Sequence, residues 1–279
     1  MNHAVVLITG CAGFIGAATT QALLKQANTQ VIGIDNLNDY YDVNLKHARL
    51  AQFAEHPRFT FYPIDLADQS NVLKCFQQHQ PTGVLHLAAQ AGVRYSITHP
   101  HTYVHSNLVG FANVLEACRH TQVQHLVFAS SSSVYGNLAE QPWSETATIN
   151  RPISLYAATK ASNELMAYTY SHLYDIPMTG LRYFTVYGPW GRPDMAPFKF
   201  TQAIVRGQPI HIHNHGQHLR DFTFIDDIVS GTLATLHGHQ FTTHPVTPAY
   251  KVYNIGYGQP TGLLDFIELL EQTLGQPAI

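Results

Sequence analysis

Residues 4–35 constrain the fold more than any other stretch. Ala4-Val5-Val6-Leu7-Ile8 is a short apolar run with β-branched residues, the pattern of a strand buried on both faces. It breaks at Thr9-Gly10-Cys11-Ala12-Gly13-Phe14-Ile15-Gly16, and Ala17 to Lys25 then reads as a helix with Leu23 and Leu24 turned inward. Val31-Ile32-Gly33-Ile34 is a second buried strand ending on Asp35. Strand, glycine turn, helix, strand and acid in this order make a dinucleotide-binding unit. Gly10 permits the tight turn, Gly13 lets the backbone approach a pyrophosphate, and Gly16 lets the helix pack closely on the strand. The helix N-terminus offers unpaired N–H groups to the phosphates. Asp35 stands nineteen residues after Gly16, where a carboxylate accepts from both ribose hydroxyls and repels a 2′-phosphate. NAD is therefore expected rather than NADP.

With 279 residues the chain can bury a sizeable core, as one large α/β domain or two unequal lobes. A formal net charge of −3 gives no reason to expect nucleic acid or an anionic membrane surface as partner. No stretch approaches the ~18 apolar residues of a membrane span, and a strand begins after three residues, so no signal peptide is expected. Cys11, Cys75 and Cys118 show no paired spacing, which suits reduced thiols and a cytoplasmic location. His211, His213, His215 and His218 fall within eight residues. They are read as compositional bias rather than a metal site, because no carboxylate or cysteine completes a ligand spacing.

Further along, a helix is predicted through Lys46, Arg49, Leu50 and Phe53, a strand over 59–64 ending before Asp65 and Leu66, and a helix over 70–79. Strand 83–87 ends in Leu87-Ala88-Ala89, small residues that allow close approach to a cofactor. A helix from Asn107 to His120 carries core residues at helical spacing, and strand 125–129 follows. Ser130-Ser131-Ser132-Ser133 then places hydroxyls at a strand's carboxyl end, where substrates bind in such sheets. Tyr156 and Lys160 stand at i and i+4 of the next predicted helix, on one face. A nearby ammonium favours the phenolate, so the tyrosine can act as general base towards a sugar or alcohol hydroxyl.

The chain resembles the extended short-chain dehydrogenases/reductases of the nucleotide-sugar epimerase group, and within it the UDP-glucuronate 4-epimerases. The resemblance is carried by Asp35-Asn-Leu-Asn-Asp-Tyr-Tyr41, Ala88-Ala-Gln-Ala-Gly-Val-Arg94, Ser130 to Gly136 and Ser154-Leu-Tyr-Ala-Ala-Thr-Lys160. It continues in the run from Leu181 to Met195, with Thr185, Arg192 and Pro193, and in Arg220-Asp-Phe-Thr-Phe-Ile-Asp-Asp227. It implies an α/β fold: a doubly wound (Rossmann) parallel sheet over residues 1–187, with a smaller UDP-sugar-binding lobe over 188–279. Segments near 220–236 and 250–256 are expected to pack back on the first part. The resemblance makes Ser131, Tyr156 and Lys160 the catalytic set. Cofactor contacts are implied for Gly10, Gly13, Phe14, Ile15, Gly16, Asp35 and Asn36, for Asp65 and Leu66 near the adenine, and for Leu87, Ala88, Ala89, Tyr156, Lys160 and Tyr183. Arg94, Ser131, Ser132, Thr185, Arg192 and Arg220 are implied around the UDP-sugar.

The expected activity is an NAD-dependent 4-epimerase interconverting UDP-glucuronate and UDP-galacturonate through a transient 4-keto intermediate, with roles in polysaccharide biosynthesis. Related dehydratases and decarboxylases carry acids after the catalytic hydroxyl; Ser132 and Ser133 stand there instead, which favours simple epimerisation. Arg192 can pair bidentately with a sugar carboxylate. The 4-ketone is β to that carboxylate, so holding it in a fixed charged pairing opposes loss of CO₂. The alternatives are an epimerase for UDP-glucose and UDP-galactose, a UDP-glucuronate decarboxylase, and a non-catalytic NAD-binding protein. A homodimer through the helices beginning near Asn107 and Tyr156 is implied by the resemblance.

In the second lobe, helix 197–206, strand 209–213, a turn at 215–217, strand 222–225, helix 226–236, a surface loop over 238–248 and strand 252–256 are predicted. Thr261 is expected to cap a last helix. The family pattern continues past residue 279, so this lobe is expected to be truncated.

Overall fold

The computed structural model describes residues 4–212, 214–217, 219–238 and 249–279. Three β-α steps and a fourth strand open the chain: β1 (Ala4–Thr9), α1 (Phe14–Leu24), β2 (Thr29–Ile34), α2 (Val43–Ala51), β3 (Phe59–Tyr62), α3 (Gln69–His79) and β4 (Gly83–His86). Short helices α4 (Tyr95–Thr98) and α5 (Pro100–Tyr103) run through a π-helical stretch, Val104–Val109, into α6 (Gly110–Thr121). Then come β5 (His125–Ser131), a 3₁₀ turn (Ser132–Tyr135), α7 (Leu155–Tyr174), β6 (Met178–Tyr183), β7 (Thr185–Tyr187) and α8 (Ala196–Val205). The last elements are β8 (Leu219–Phe224), α9 (Ile225–His237), β9 (Tyr250–Ile255), β10 (Pro260–Gly262) and α10 (Leu263–Leu274).

Seven strands form one sheet in the order β3-β2-β1-β4-β5-β6-β9, every neighbouring pair parallel. This is the doubly wound order, with the first switch of direction beside β1. Alternate residues along β1 show why helices cover both faces. Leu7 packs with Ile32, Phe76, Phe111 and Phe128 under α3 and α6, whereas Val6 and Ile8 pack with Leu23, Leu50, Phe53 and Ile228 under α1, α2 and α9. β9 adds the seventh strand to this sheet and α9 packs on α1, so both return from late in the chain. β7, β8 and β10 make a separate three-stranded sheet, with β10 antiparallel to β8.

Several elements differ from the sequence expectation. α1 begins at Phe14, three residues before the predicted start, with Gly13 as its N-cap. β6 and β7, both unforeseen, lie within Met178–Tyr187. Residues 209–212 form no strand: Pro209 has no N–H to give a ladder, and Ile210 N–H instead donates to Ile279 O at 2.8 Å. Thr261 does not cap the last helix; it sits in β10 opposite Arg220, and Gly262 is the N-cap. The predicted loop over 238–248 lies outside the described residues from 239 on, as do His213 and His218 of the histidine run. Among the described residues no three His, Cys, Asp or Glu side chains converge on a metal-sized site, and no helix is long and apolar enough to cross a membrane.

Candidate active site

The glycine turn is built for close approach. Gly10 has φ 74°, and a Cβ there would stand 2.7 Å from Ala88 N; a Cβ on Gly16 would stand 2.0 Å from Gly10 O. Gly10 N–H donates to Ile34 O at 2.7 Å, locking the turn to the end of β2. There Asp35 accepts from Leu37 N–H at 2.9 Å and Ala12 N–H at 3.1 Å. Burial raises its carboxyl above the usual range, against the pull of those N–H groups and of Lys46 and Arg49. Each oxygen keeps a lone pair for a further donor. Asn36 Nδ2 donates to Asp65 Oδ2 at 3.0 Å, tying the ends of β2 and β3 together.

A cleft runs from this turn along the carboxyl ends of the strands. Gly10, Gly13, Phe14, Ile15, Gly16, Asp35, Asn36, Asp65, Leu66, Leu87, Ala88, Ala89 and Tyr183 all line it, together with Ser131, Tyr156, Lys160 and Arg192. It holds a cavity of about 240 Å³. Glycines that a Cβ would crowd, an acid at the end of β2 and a wall of small residues after β4 fit a dinucleotide. Sequence reasoning missed Tyr40, Tyr41, Lys46 and Met195, which also line the cleft. It also missed the role of Arg49, which is fully buried and donates to Ala12 O, to Trp190 O and Gly191 O, and to Tyr41 Oη. The signal for Arg49 was weak, since a cation at the end of a short helix reads as solvated.

Tyr156 and Lys160 project from the first two turns of α7, whose N-terminus Ser154 caps by accepting from Ala157 N–H at 3.1 Å. The Ser131 hydroxyl, at the end of β5, donates to Ser133 Oγ at 3.1 Å and stands beside the Tyr156 phenol. Burial pushes that phenol up, opposed by the Ser131 hydroxyl and by the positive charge of Arg192. This corrects the expectation that Lys160 lowers it. Lys160 is 1% exposed and spends its ammonium on Ala129 O at 2.7 Å, and burial pulls its own pKa down to about 8 against the charge of Glu164. Tyr183, on β6, shares its hydroxyl with Thr232 Oγ at 2.7 Å.

A second cavity of about 1020 Å³ opens beyond Tyr40 and Met195, which line both. Arg94, Thr185 and Arg220 line it, with Lys199 and Phe222. Arg220 donates Nη1 to Leu219 O at 3.0 Å, and burial draws its pKa down. Ser132 starts the 3₁₀ turn, away from the side chains that line the two cavities. Arg192 is already paired. Its Nε donates to Asp194 Oδ1 at 3.0 Å and its Nη2 to Asp194 Oδ2, so the guanidinium reaches the cleft already holding a carboxylate. Tyr40 Oη donates to the same carboxylate at 3.0 Å. Burial pushes the Asp194 carboxyl up, yet Arg192 outweighs it and the net shift is down.

Residues 6–256 match the NAD dependent epimerase/dehydratase family. The chain is 50% identical to "Protein CapI" of Staphylococcus aureus over 98% of its own length and 84% of that protein's. It is 48% identical to UDP-glucuronate 4-epimerase 4 of Arabidopsis thaliana, covering 98% of this chain and 64% of that one. Among solved structures, UDP-glucuronic acid 4-epimerase from Bacillus cereus in complex with UDP-glucuronic acid and NAD superposes with a TM-score of 0.89 at 36% identity. That match covers 98% of this chain and 84% of the other.

Proposed function

We propose that this chain, which belongs to the NAD dependent epimerase/dehydratase family, is an NAD-dependent 4-epimerase interconverting UDP-glucuronate and UDP-galacturonate. The observation that carries this reading is one cleft in which a dinucleotide cradle leads to Ser131, Tyr156 and Lys160, with Arg192 on the same wall and the larger cavity opening beyond Tyr40 and Met195. Relatives and solved neighbours named UDP-glucuronate 4-epimerase support the choice of sugar.

NAD is the cofactor; Gly10, Gly13 and Gly16 admit its diphosphate, Asp35 takes the ribose hydroxyls, and Asn36, Asp65 and Leu66 flank the adenine. Bound there, NAD would supply a hydride acceptor beside C4 of the sugar and, in its reduced form, the donor for return to the opposite face. Tyr156 removes the proton of the C4 hydroxyl and gives it back. Ser131 stands beside the phenol and orients that hydroxyl. Lys160, anchored on Ala129 O, keeps a positive charge beneath the site. Arg192 takes the uronate carboxylate in a bidentate pairing, exchanging or sharing its hold on Asp194. Thr185, Arg94 and Arg220 lie around the larger cavity, where the UDP moiety fits.

The chain up to residue 184 with α9 and β9 forms the cofactor part, and the second sheet, which takes in β7 and so moves the expected boundary from 187, forms the sugar-nucleotide part with α8 and α10. A homodimer is supported by exposed apolar side chains on the helices around the π-helical stretch and on α7, among them Ile97, Val109, Leu165 and Leu173. A cytoplasmic location is supported by three free, buried cysteines, and a UDP-uronate is a fitting precursor for polysaccharide biosynthesis. Replacing Tyr156 by Phe tests the assignment: turnover is expected to fall by a factor of about 10²–10⁴ while bound NAD is retained. Unchanged turnover would refute it.

A further inference from the structure

The face of α7 that carries Tyr156 and Lys160 continues one turn further to Glu164, and the three residues stand at i, i+4 and i+8. Glu164 is 5% exposed. Its Oε1 accepts from Ser130 Oγ at 2.5 Å and from Arg182 Nε at 2.9 Å, and its Oε2 accepts from Arg182 Nη2 at 2.7 Å. Ser130 is the neighbour of Ser131 on β5, and Arg182 on β6 is the register partner of Ser130. One carboxylate thus holds the catalytic helix to both strands that floor the cleft.

We propose that Glu164 is a positioning residue: by clamping α7 to β5 and β6 it fixes Tyr156 and Lys160 against Ser131, and it faces Lys160 with the negative charge the buried ammonium needs. The proposal rests on the reading of those three residues as the reacting set.

The clamp is braced from behind. Arg182 Nη1 donates to Tyr135 Oη at 2.8 Å, Tyr135 Oη donates to Asn254 Oδ1 at 2.7 Å, and Asn254 N–H donates to Glu145 Oε1 at 3.0 Å. Such a chain, anchored on β6, β9 and the loop before α7, leaves Glu164 little freedom to follow a moving helix. Along α7 the order is Tyr156 beside Ser131, then two hydrogen-bonded rungs, Lys160 to Ala129 O and Glu164 to Ser130. Losing the last rung lets the others drift, and a drift of about 1 Å in such a site costs on the order of 10²-fold in rate. The charge matters as well. Lys160 is faced by His86 from β4 and by Glu164 from its own helix, while Glu164 is faced by Arg182 and by Tyr250 of β9. Glu164 is thus the anion acting on the Lys160 ammonium.

Two variants test this. Glu164→Gln keeps the volume and removes the charge, and Ser130→Ala removes one rung while leaving the Arg182 ion pair intact. The expected result is a kcat lower by about tenfold or more in both, with KM for UDP-glucuronate within about twofold of the parent. In protein carrying lysine labelled with ¹³C at Cε, the Lys160 titration midpoint should fall by about one unit in Glu164→Gln and hold in Ser130→Ala. Folded variants with unchanged kcat and an unmoved Lys160 midpoint would overturn the proposal. If Glu164→Gln does not fold, Ser130→Ala decides on kcat alone. Parental turnover is the control. If the parent does not turn over, the functional reading fails, and the Lys160 titration, which needs no substrate, decides this one separately.

Discussion

At the scale of single residues, the chemistry depends on how burial and neighbouring charge divide the work at Tyr156. Burial pushes the phenol up and makes it a reluctant base, while Ser131 and Arg192 pull it back down. Arg192 therefore carries two loads, the uronate carboxylate and part of the ionisation of Tyr156. Arg192→Met should raise KM for UDP-glucuronate by about 10- to 100-fold, the worth of a charge-assisted contact of roughly 1.5–3 kcal/mol. KM for UDP-glucose should hardly change. Removing the cation also raises the phenol further, so the acid limb of the kcat–pH profile should move to higher pH. Equal effects on both sugars and an unmoved profile would separate Arg192 from both roles. The bidentate bond to Asp194 was not legible in the sequence, because an Arg two residues before an Asp is equally a surface pair.

At the scale of elements, the reach of sequence reading followed the periodicity available to it. β1, β2, β4 and β5 are continuous apolar runs ended by turn residues, and they stand where such runs predict. β6 was missed because Thr179 and Arg182 interrupt its pattern, and their polarity is paid for inside the fold by His125 and Glu164. The stretch predicted as a strand from Pro209 forms none over residues 209–212. The helix expected to start at Asn107 is continuous with the π-helical stretch before it, and Asn107 is the reason that stretch matters. Its Oδ1 accepts from Gln90 N–H at 2.8 Å, its Nδ2 donates to Gln90 O and Thr159 Oγ at 3.0 Å, and Asn163 Nδ2 donates to its carbonyl at 2.7 Å. It joins the loop after β4 to α7 from a buried position. Asn107→Ala should lower the unfolding free energy by about 2–3 kcal/mol in urea titrations, because it strands buried polar partners. A loss under about 0.5 kcal/mol would show that water or repacking replaces them.

At the scale of the whole molecule, the same buried polar groups make the fold sensitive to acid. His86 is fully buried, its Nδ1 lies 2.9 Å from Thr9 Oγ, and burial, helped by the charge of Lys160, pulls its pKa down to about 3. Between that value and the ordinary ~6.5 of a histidine the unfolded chain binds a proton that the native chain refuses, so stability falls as pH falls through this window. The expected slope from this one group is about 1.4 kcal/mol per pH unit. His86→Asn should flatten it between pH 6 and 4, and an unchanged slope would place the acid sensitivity elsewhere. The epimerase reading itself is tested most directly by incubating the purified chain with UDP-glucuronate, without added cofactor, and following the sugar by NMR. UDP-galacturonate, approached equally from either sugar with no net consumption of NAD, is the predicted result. A pentose product with release of CO₂, or epimerisation of UDP-glucose while UDP-glucuronate stays unchanged, would contradict it.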